Sequence, residues 1–342
     1  MSKGRLTRDN PLLSRPILGP LADLSVPPGA ATNATTPLCE INFTTELPDD
    51  VAGYVEKSLS ENTRRAYAAD LAHFQAWGGS IPATDMTIAK YLAEHADTLS
   101  VATLCRRLAT ITKAHAAEGF ASPTRSELVK ATIRGIKRSR GTAQVEAKPL
   151  LRDDLFAVLE RMGDDPKSTR DRALLLIGFA GGFRRSELVG LDVEDIEQVR
   201  QGIIIQLRRS KTDQEGVGRK IGIPFGRTRC CPVNALDQWL STATIGAGPI
   251  FRCVSRHGHI SEQRLSAEAV ALVLKGRLLA ADVSPDGFSA HSLRAGLVTS
   301  AAMVGVSPWK IRQQTGHASD AMLGRYIRDI DLFISNAAGA IL

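Results

Sequence analysis

The sequence predicts a mostly α-helical protein of two domains, the second an α+β domain holding a small β-hairpin. Three observations lead there. At 342 residues the chain is longer than one ordinary domain. Apolar residues recur at helical spacing from about residue 60 onward, interrupted by two short strand-like runs. A polar stretch over 139–149, SRGTAQVEAKP, separates a smaller helical region from a larger mixed one. The expected divisions are an arm over 1–50, a helical domain over 51–138, a linker over 139–149 and a second domain over 150–342.

Composition narrows the class. Hydrophobic residues make up 43% and charged residues 23%, as in ordinary globular proteins. The longest apolar run, Ala173 to Phe183, has 11 residues with three glycines, too short to span a bilayer. Residues 1–30 lack an apolar core of signal-peptide type, so secretion is not expected. The five cysteines, Cys39, Cys105, Cys230, Cys231 and Cys253, form no CxxC pair, which points to a reduced, cytoplasmic protein. Lys plus Arg (43) exceed Asp plus Glu (36) by 7, a balance that favours polyanionic partners without defining one.

Taken in order, residues 1–50 hold 7 of the 16 prolines and show no sustained periodicity, so they read as a flexible arm. Residues 51–150 carry 14 basic and 9 acidic residues, the highest basic excess per residue. Four helices are expected there. The first, Ser60 to Trp77, lines up Tyr67, Leu71 and Phe74 and stops at Gly78-Gly79. The second, Thr87 to His95, presents Ile88, Tyr91 and Leu92. The third, capped by Ser100, lines up Leu104, Leu108 and Ile111 and ends at Gly119. The fourth, Ser126 to Lys137, carries Leu128, Val129, Ile133 and Ile136. Opposite these stripes stand Arg64-Arg65, Arg106-Arg107 and Lys137-Arg138. Three basic pairs in one small helical domain suggest a surface that follows phosphates.

Beyond the linker, helices are expected over Leu151–Met162, Ser168–Ala180, Pro232–Leu240, Ala267–Leu279 and His291–Val304. GIIIQL (202–207) and RKIGI (219–223) read as two strands joined by a polar turn. Four short motifs could carry chemistry. Arg184, just after an Ala-Gly-Gly break, has Glu187 three residues on, able to orient it. His291 and Arg294 share a helical face, an imidazole beside a guanidinium, and Ser289 resembles a cap before them. His317 follows Gly316, which looks like the glycine that ends the helix begun at Ser307-Pro308. Tyr326 lies nine residues on, and Lys211 stands at the hairpin tip in RRSKT.

In chain order these motifs are GFRRSEL, RRSKT, HSLR and TGH with a tyrosine nine residues later. The set resembles the tyrosine recombinase (phage integrase) family over roughly residues 55–342. The resemblance implies a C-shaped clamp of two domains around double-stranded DNA, of the DNA breaking-rejoining type, the first a SAM-like core-binding domain and the second catalytic. It implies that Arg184 and Arg294 contact the scissile phosphate, with Glu187 in support. Lys211 is the implied general acid for the leaving 5′-oxygen, with Lys220 on the facing strand as its competitor. His317 is implied to hydrogen-bond a nonbridging oxygen, and Tyr326 to be the nucleophile. His291 is the candidate base for the tyrosine hydroxyl. Arg208 and Arg209 are candidate backbone contacts.

The implied activity is site-specific recombination through a 3′-phosphotyrosyl intermediate at an inverted-repeat site, without metal or ATP. The implied assembly is a tetramer in the synapse and a monomer in free solution, nucleoid-associated and without membrane contact. Ile330, Leu332, Phe333 and Ile334 offer an apolar surface that could dock on its own domain or on a neighbouring protomer, and the resemblance favours the neighbour. A type IB topoisomerase-like or telomere-resolvase activity, or a catalytically silent DNA-binding protein of the same fold, is the alternative reading. Two residues depart from the common pattern: Thr315, where many members have Leu, and Arg185, where an apolar residue is common.

Overall fold

The computed structural model describes residue 54 and residues 58–142, 146–208, 218–317, 319 and 323–324. The arm over 1–50, Arg209, Lys211, Tyr326 and the apolar group at 330–334 lie outside the described residues. Two compact units divide between residues 143 and 144.

The first unit contains α1 (Glu61–Ala76), α2 (Asp85–Glu94), α3 (Val101–Ala117) and α4 (Glu127–Arg140), with a 3-10 turn at Pro123–Arg125 before α4. Each helix starts where a hydroxyl accepts the N–H three residues on: Ser60, Thr84, Ser100 and Ser126. Leu71, Phe74, Ile88, Tyr91, Leu92, Leu104, Ile111, Val129 and Ile136 close one core. Leu128, expected on the buried stripe of α4, is exposed instead. Lys137 and Arg138 lie exposed in the last turn of α4, which runs past residue 138 into the stretch read as linker.

One basic pair is not the surface feature the sequence suggested. Arg107 is buried, and its Nη1 donates to the Tyr91 hydroxyl at 2.8 Å and lies 2.8 Å from His73 Nδ1. Its Nε lies 3.5 Å from Asp70 Oδ1. Helix geometry explains the difference: α3 turns Arg107 toward Tyr91 and leaves Arg106 half-exposed beside it. Arg106 donates Nε and Nη2 to the two oxygens of buried Asp70, both at 2.8 Å. Burial alone would raise the Asp70 pKa. The Arg106 hydrogen bond and the Arg106 and Arg107 charges outweigh it and hold the carboxyl below its ordinary value.

The second unit is built around α6 (Pro166–Gly181), whose Ala173–Ile177 segment is buried all round. Against it pack α7 (Arg185–Gly190), α8 (Pro232–Thr242), α9 (Ala267–Ala280) and α10 (His291–Met303), with α5 (Arg152–Glu160) alongside α9 and α10. A three-stranded antiparallel sheet runs in the order β1 (Ile196–Val199), β2 (Gly202–Leu207), β3 (Arg219–Pro224). Ile203 and Ile205 of β2 face Ile223 and Ile221 of β3 in register and are buried. The sequence predicts the hairpin of β2 and β3; the structure adds β1 and a separate hairpin of β4 (Arg252–Val254) and β5 (Ile260–Arg264). Among the described residues the last full helix is α11 (Pro308–Thr315), packed on α10.

The far end of the polar linker is fixed to this unit. Lys148 N–H donates to Gly287 O at 2.9 Å and Leu150 N–H to Ser292 O at 3.0 Å. Leu150 is fully buried, and a Cβ at Gly296 of α10 would stand 1.8 Å from its carbonyl oxygen, so only glycine fits there.

Replacing Asp70 by Ala leaves Arg107 buried without its carboxylate. The expected cost is about 3 kcal/mol, read as a lower urea midpoint for the full chain. Because the folded pKa of Asp70 is depressed, this contribution is present in full above about pH 4 and is lost as pH falls through the folded pKa.

Candidate active site

Four segments of the second unit converge on one polar centre. The first is the turn after α6. Gly182 adopts a left-handed conformation (φ 60°, ψ 34°), and a Cβ there would stand 2.9 Å from both Leu297 and Thr315. The chain reverses, buries Phe183 and delivers Arg184 in extended conformation as the N-cap of α7. Glu187 then holds Arg184 twice: its Oε2 accepts the Arg184 backbone N–H at 2.9 Å, and its Oε1 accepts from Nη1 at 2.6 Å. The Glu187 carboxylate is buried and the Arg184 side chain it orients is largely so.

The second segment is the start of α10. His291 is its first residue, with its N–H on the Ser289 hydroxyl at 3.2 Å. Ser289 therefore caps through His291 rather than occupying the N-cap position itself, which belongs to Ala290. One turn on, Arg294 is 1% exposed. Its Nη1 donates to Gly182 O at 2.7 Å and to Thr315 O at 2.6 Å, so one buried guanidinium ties the Arg184 turn to the end of α11.

The third segment is that end. Gly316 is left-handed (φ 67°, ψ 42°) and its N–H returns to Arg312 O at 2.7 Å, which ends the helix and places His317 beyond it, buried. Thr315 Oγ1 lies 2.7 Å from Ile311 O and 2.7 Å from His317 Nδ1. A carbonyl only accepts, so the hydroxyl donates to Ile311 and accepts from Nδ1–H of the imidazole. Thr315 thus selects the His317 tautomer in which Nε2 carries the lone pair. Donation from Nε2 to a phosphate oxygen requires the hydroxyl to turn from Ile311 O to Nδ1.

The fourth segment, β3, supplies a residue that the sequence reading missed. Arg219 donates Nη1 to Gln314 O at 2.7 Å and Gln313 O at 3.4 Å, and its Nη2 lies 4.0 Å from Glu187 Oε2. The signal was present: Arg219, Ile221 and Ile223 alternate along β3, so Arg219 points to the buried face. Lys220 lies exposed on the opposite face. Gln314 completes the tie with Nε2 to Ala180 O at 2.9 Å and Gly222 O at 3.2 Å.

The electrostatics keep both imidazoles neutral. Burial, then the charges of Arg294 and Arg184, and lastly those of His291 and Arg219, lower the His317 pKa to about 3. His291 opens to solvent at one edge. The protein packed round its ring, followed by Arg294 and Arg184, still lowers its pKa, against a smaller opposing pull from Glu146. Arg208, expected to meet DNA, is exposed but bound to its own domain, with Nε 2.6 Å from Asp195 Oδ1. Arg64 and Arg65 stand on α1, and Arg65 pairs with Asn62 and Glu61. Among the described residues no group of three His, Cys, Asp or Glu could hold a metal, and no helix is long and apolar enough to cross a membrane.

A helical unit, and an α+β unit with three arginines and two neutral histidines round one polar centre, suit the class of enzymes that break and rejoin phosphodiesters. Comparison with known proteins agrees. The sequence model of the phage integrase family matches residues 148–331, and that of the phage integrase N-terminal SAM-like domain matches residues 54–117. An integrase/recombinase XerD homolog of Selenomonas ruminantium is 38% identical over 293 residues, covering 83% of this chain and 86% of the relative. The recombinase Cre of Escherichia phage P1 is 26% identical over 252 residues, covering 68% and 72%. Among solved structures, XerH bound to a palindromic difH substrate has a TM-score of 0.62 at 17% identity, covering 85% and 83%. A lambda integrase dimer bound to a core site has a TM-score of 0.60 at 19% identity, covering 82% and 76%. The chain belongs to the phage integrase family of tyrosine recombinases.

Two outcomes follow for His317. It is neutral when folded and titrates near 6.5 when unfolded, so the unfolded chain takes up the proton first. Stability is unaffected by this group above about pH 6.5 and falls below it, by about 2 kcal/mol between pH 7 and pH 5. Chemical denaturation at the two pH values measures the loss, and His317→Gln shrinks it. Thr315→Val removes the acceptor for Nδ1–H, and the expected shift toward the Nε2–H tautomer is read in ring 15N–1H correlation spectra.

Proposed function

We propose that this recombinase cleaves and rejoins duplex DNA at a specific site with Tyr326 as the nucleophile. The observation that carries the reading is that Arg184, held by Glu187 just past Gly182, and Arg294, held by the Gly182 carbonyl, come together from different elements beside two neutral imidazoles. A phosphodiester is anionic, and its transition state gathers charge on the nonbridging oxygens. Two guanidiniums already oriented by Glu187, Gly182 O and Thr315 O stabilise that charge without reorganising. Neutral His291, at the open edge, is suited to take the proton of the Tyr326 hydroxyl, whose ordinary pKa is about 10.

The tyrosine oxygen bonds to phosphorus, the bond from phosphorus to the 5′-oxygen breaks, and that oxygen takes a proton from Lys211. The products are a 3′-phosphotyrosine and a free 5′-hydroxyl. A 5′-hydroxyl from a partner strand reverses the step. One phosphodiester replaces another, so ATP is not needed, and the arginines neutralise the charge that a divalent metal would otherwise meet. Four copies on two inverted-repeat sites complete the exchange in this reading. A lambda integrase tetramer bound to a Holliday junction, a solved relative with a TM-score of 0.57, supports it. The protein then works where the DNA is, in the nucleoid.

The test is covalent trapping on nicked suicide duplexes with chelator present. Wild type is expected to form an adduct and Tyr326→Phe none, while the variant keeps its specific binding. Adduct formation by Tyr326→Phe means another nucleophile acts. Relaxation of supercoils by a monomer, without assembly on paired sites, supports the topoisomerase-like reading instead. Deleting residues 330–342 is expected to weaken cooperative assembly in gel shifts and leave half-site binding intact.

A further inference from the structure

We infer that Arg219 is a positioning residue that locks the turn bearing Arg184 to the turn bearing His317, an inference that rests on the cleavage chemistry proposed above. The guanidinium sits between the two. On one side it holds the carbonyls of Gln313 and Gln314, the residues that lead into Thr315, Gly316 and His317. On the other it faces the Glu187 carboxylate, which itself holds the backbone and the guanidinium of Arg184. Its flat face lies against Gly316, where a Cβ would stand 2.9 Å from Arg219 Cζ. Gly316 therefore serves two needs, a left-handed backbone and room for this side chain.

Placement there is costly, which argues that it serves the site. Burial, and to a smaller degree the like charge of Arg184, disfavours the Arg219 cation, with Glu187 opposing. Nη2 is buried without a hydrogen-bond partner among the described residues. A residue selected for stability alone would not put a third guanidinium beside Arg184 and Arg294. Two charge-compatible targets on separate elements suit a planar fork and not a point charge: the helix-end carbonyls, which carry partial negative charge, and the Glu187 carboxylate. Arg294 makes an independent tie to the next carbonyl, Thr315 O. Arg219 and Arg294 thus grip the last three carbonyls of α11 from two directions. Loss of one grip lets His317 and the Arg294 anchor drift relative to Arg184. A displacement on the order of 1 Å is enough to cost about 10²-fold in rate.

The experiment compares the full-length wild type with R219Q and R219K. The rate of adduct formation is measured at saturating protein on the duplex that the wild type cleaves, alongside half-site affinity by gel shift. R219Q is expected to cleave about 10²-fold more slowly with half-site affinity within about threefold. R219K, which keeps the charge but not the fork, is expected to recover about tenfold of that loss. In an E187Q background, R219Q is expected to cost less than it does alone, since both act on Arg184. Without DNA, R219Q is expected to move the His317 ring 15N resonances, and R200Q on the exposed β1–β2 turn to leave them in place. Cleavage by R219Q within threefold of wild type overturns the inference. So does a loss of half-site affinity that matches the loss of rate, which makes Arg219 a DNA contact. If R219Q does not fold, R219K at the wild-type rate overturns it equally. Absence of any adduct with wild type overturns the cleavage reading instead, and the ring resonances still decide the role of Arg219.

Discussion

The Arg294 guanidinium is almost fully buried and gives one nitrogen to two carbonyls, Gly182 O and Thr315 O. Taking a cation out of water is expensive, and it persists inside a protein only where polar groups replace its hydration. Here the replacements are the ends of two helices, whose unsatisfied carbonyls need donors as much as the cation needs acceptors. Both ends are terminated by left-handed glycines, Gly182 and Gly316, so the carbonyls turn inward instead of continuing a helix. One interaction therefore solves two problems and fixes the distance between the Arg184 turn and the His317 turn. The rest of the polar centre is referenced to it.

That centre is heavily cationic. Arg184, Arg219 and Arg294 are gathered with one buried carboxylate, Glu187, among them. Such a set is unfavourable alone and favourable once an anion enters, because a preorganised field needs no rearrangement when charge arrives. The same field adds to burial at the two histidines. Burial first, and then those arginines, disfavour a proton on either ring, so both are presented neutral. Thr315, a departure from the common leucine, adds a hydroxyl that settles which ring nitrogen of His317 carries hydrogen.

Much of this was legible in the chain. The apolar stripes of α1, α2 and α3 and the serine caps predicted their helices within a few residues, because local periodicity and capping decide them. The motifs around Arg184, His291, Arg294 and His317 named the residues that the fold brings together. What sequence could not supply was pairing between distant segments. Arg107 read as surface because its partner Asp70 lies on another helix, and nothing local marks that contact. Arg219 read as an ordinary strand residue because its partners come from α7 and α11. The short strands β1, β4 and β5 were missed for the same reason: three to five residues carry too little periodicity to be seen without their neighbours.

The attachment of residues 148–150 to α10 has a mechanical side. The connector does not end on a loop; it ends with Leu150 seated against Gly296, and its N–H held by the carbonyl of Ser292, two residues before Arg294. Residues 148–150 are therefore built into the packing of the helix that carries His291 and Arg294. A substitution that disturbs the contact between Leu150 and Gly296 therefore acts directly on the helix of Arg294, so in packing terms the end of the linker belongs to the site.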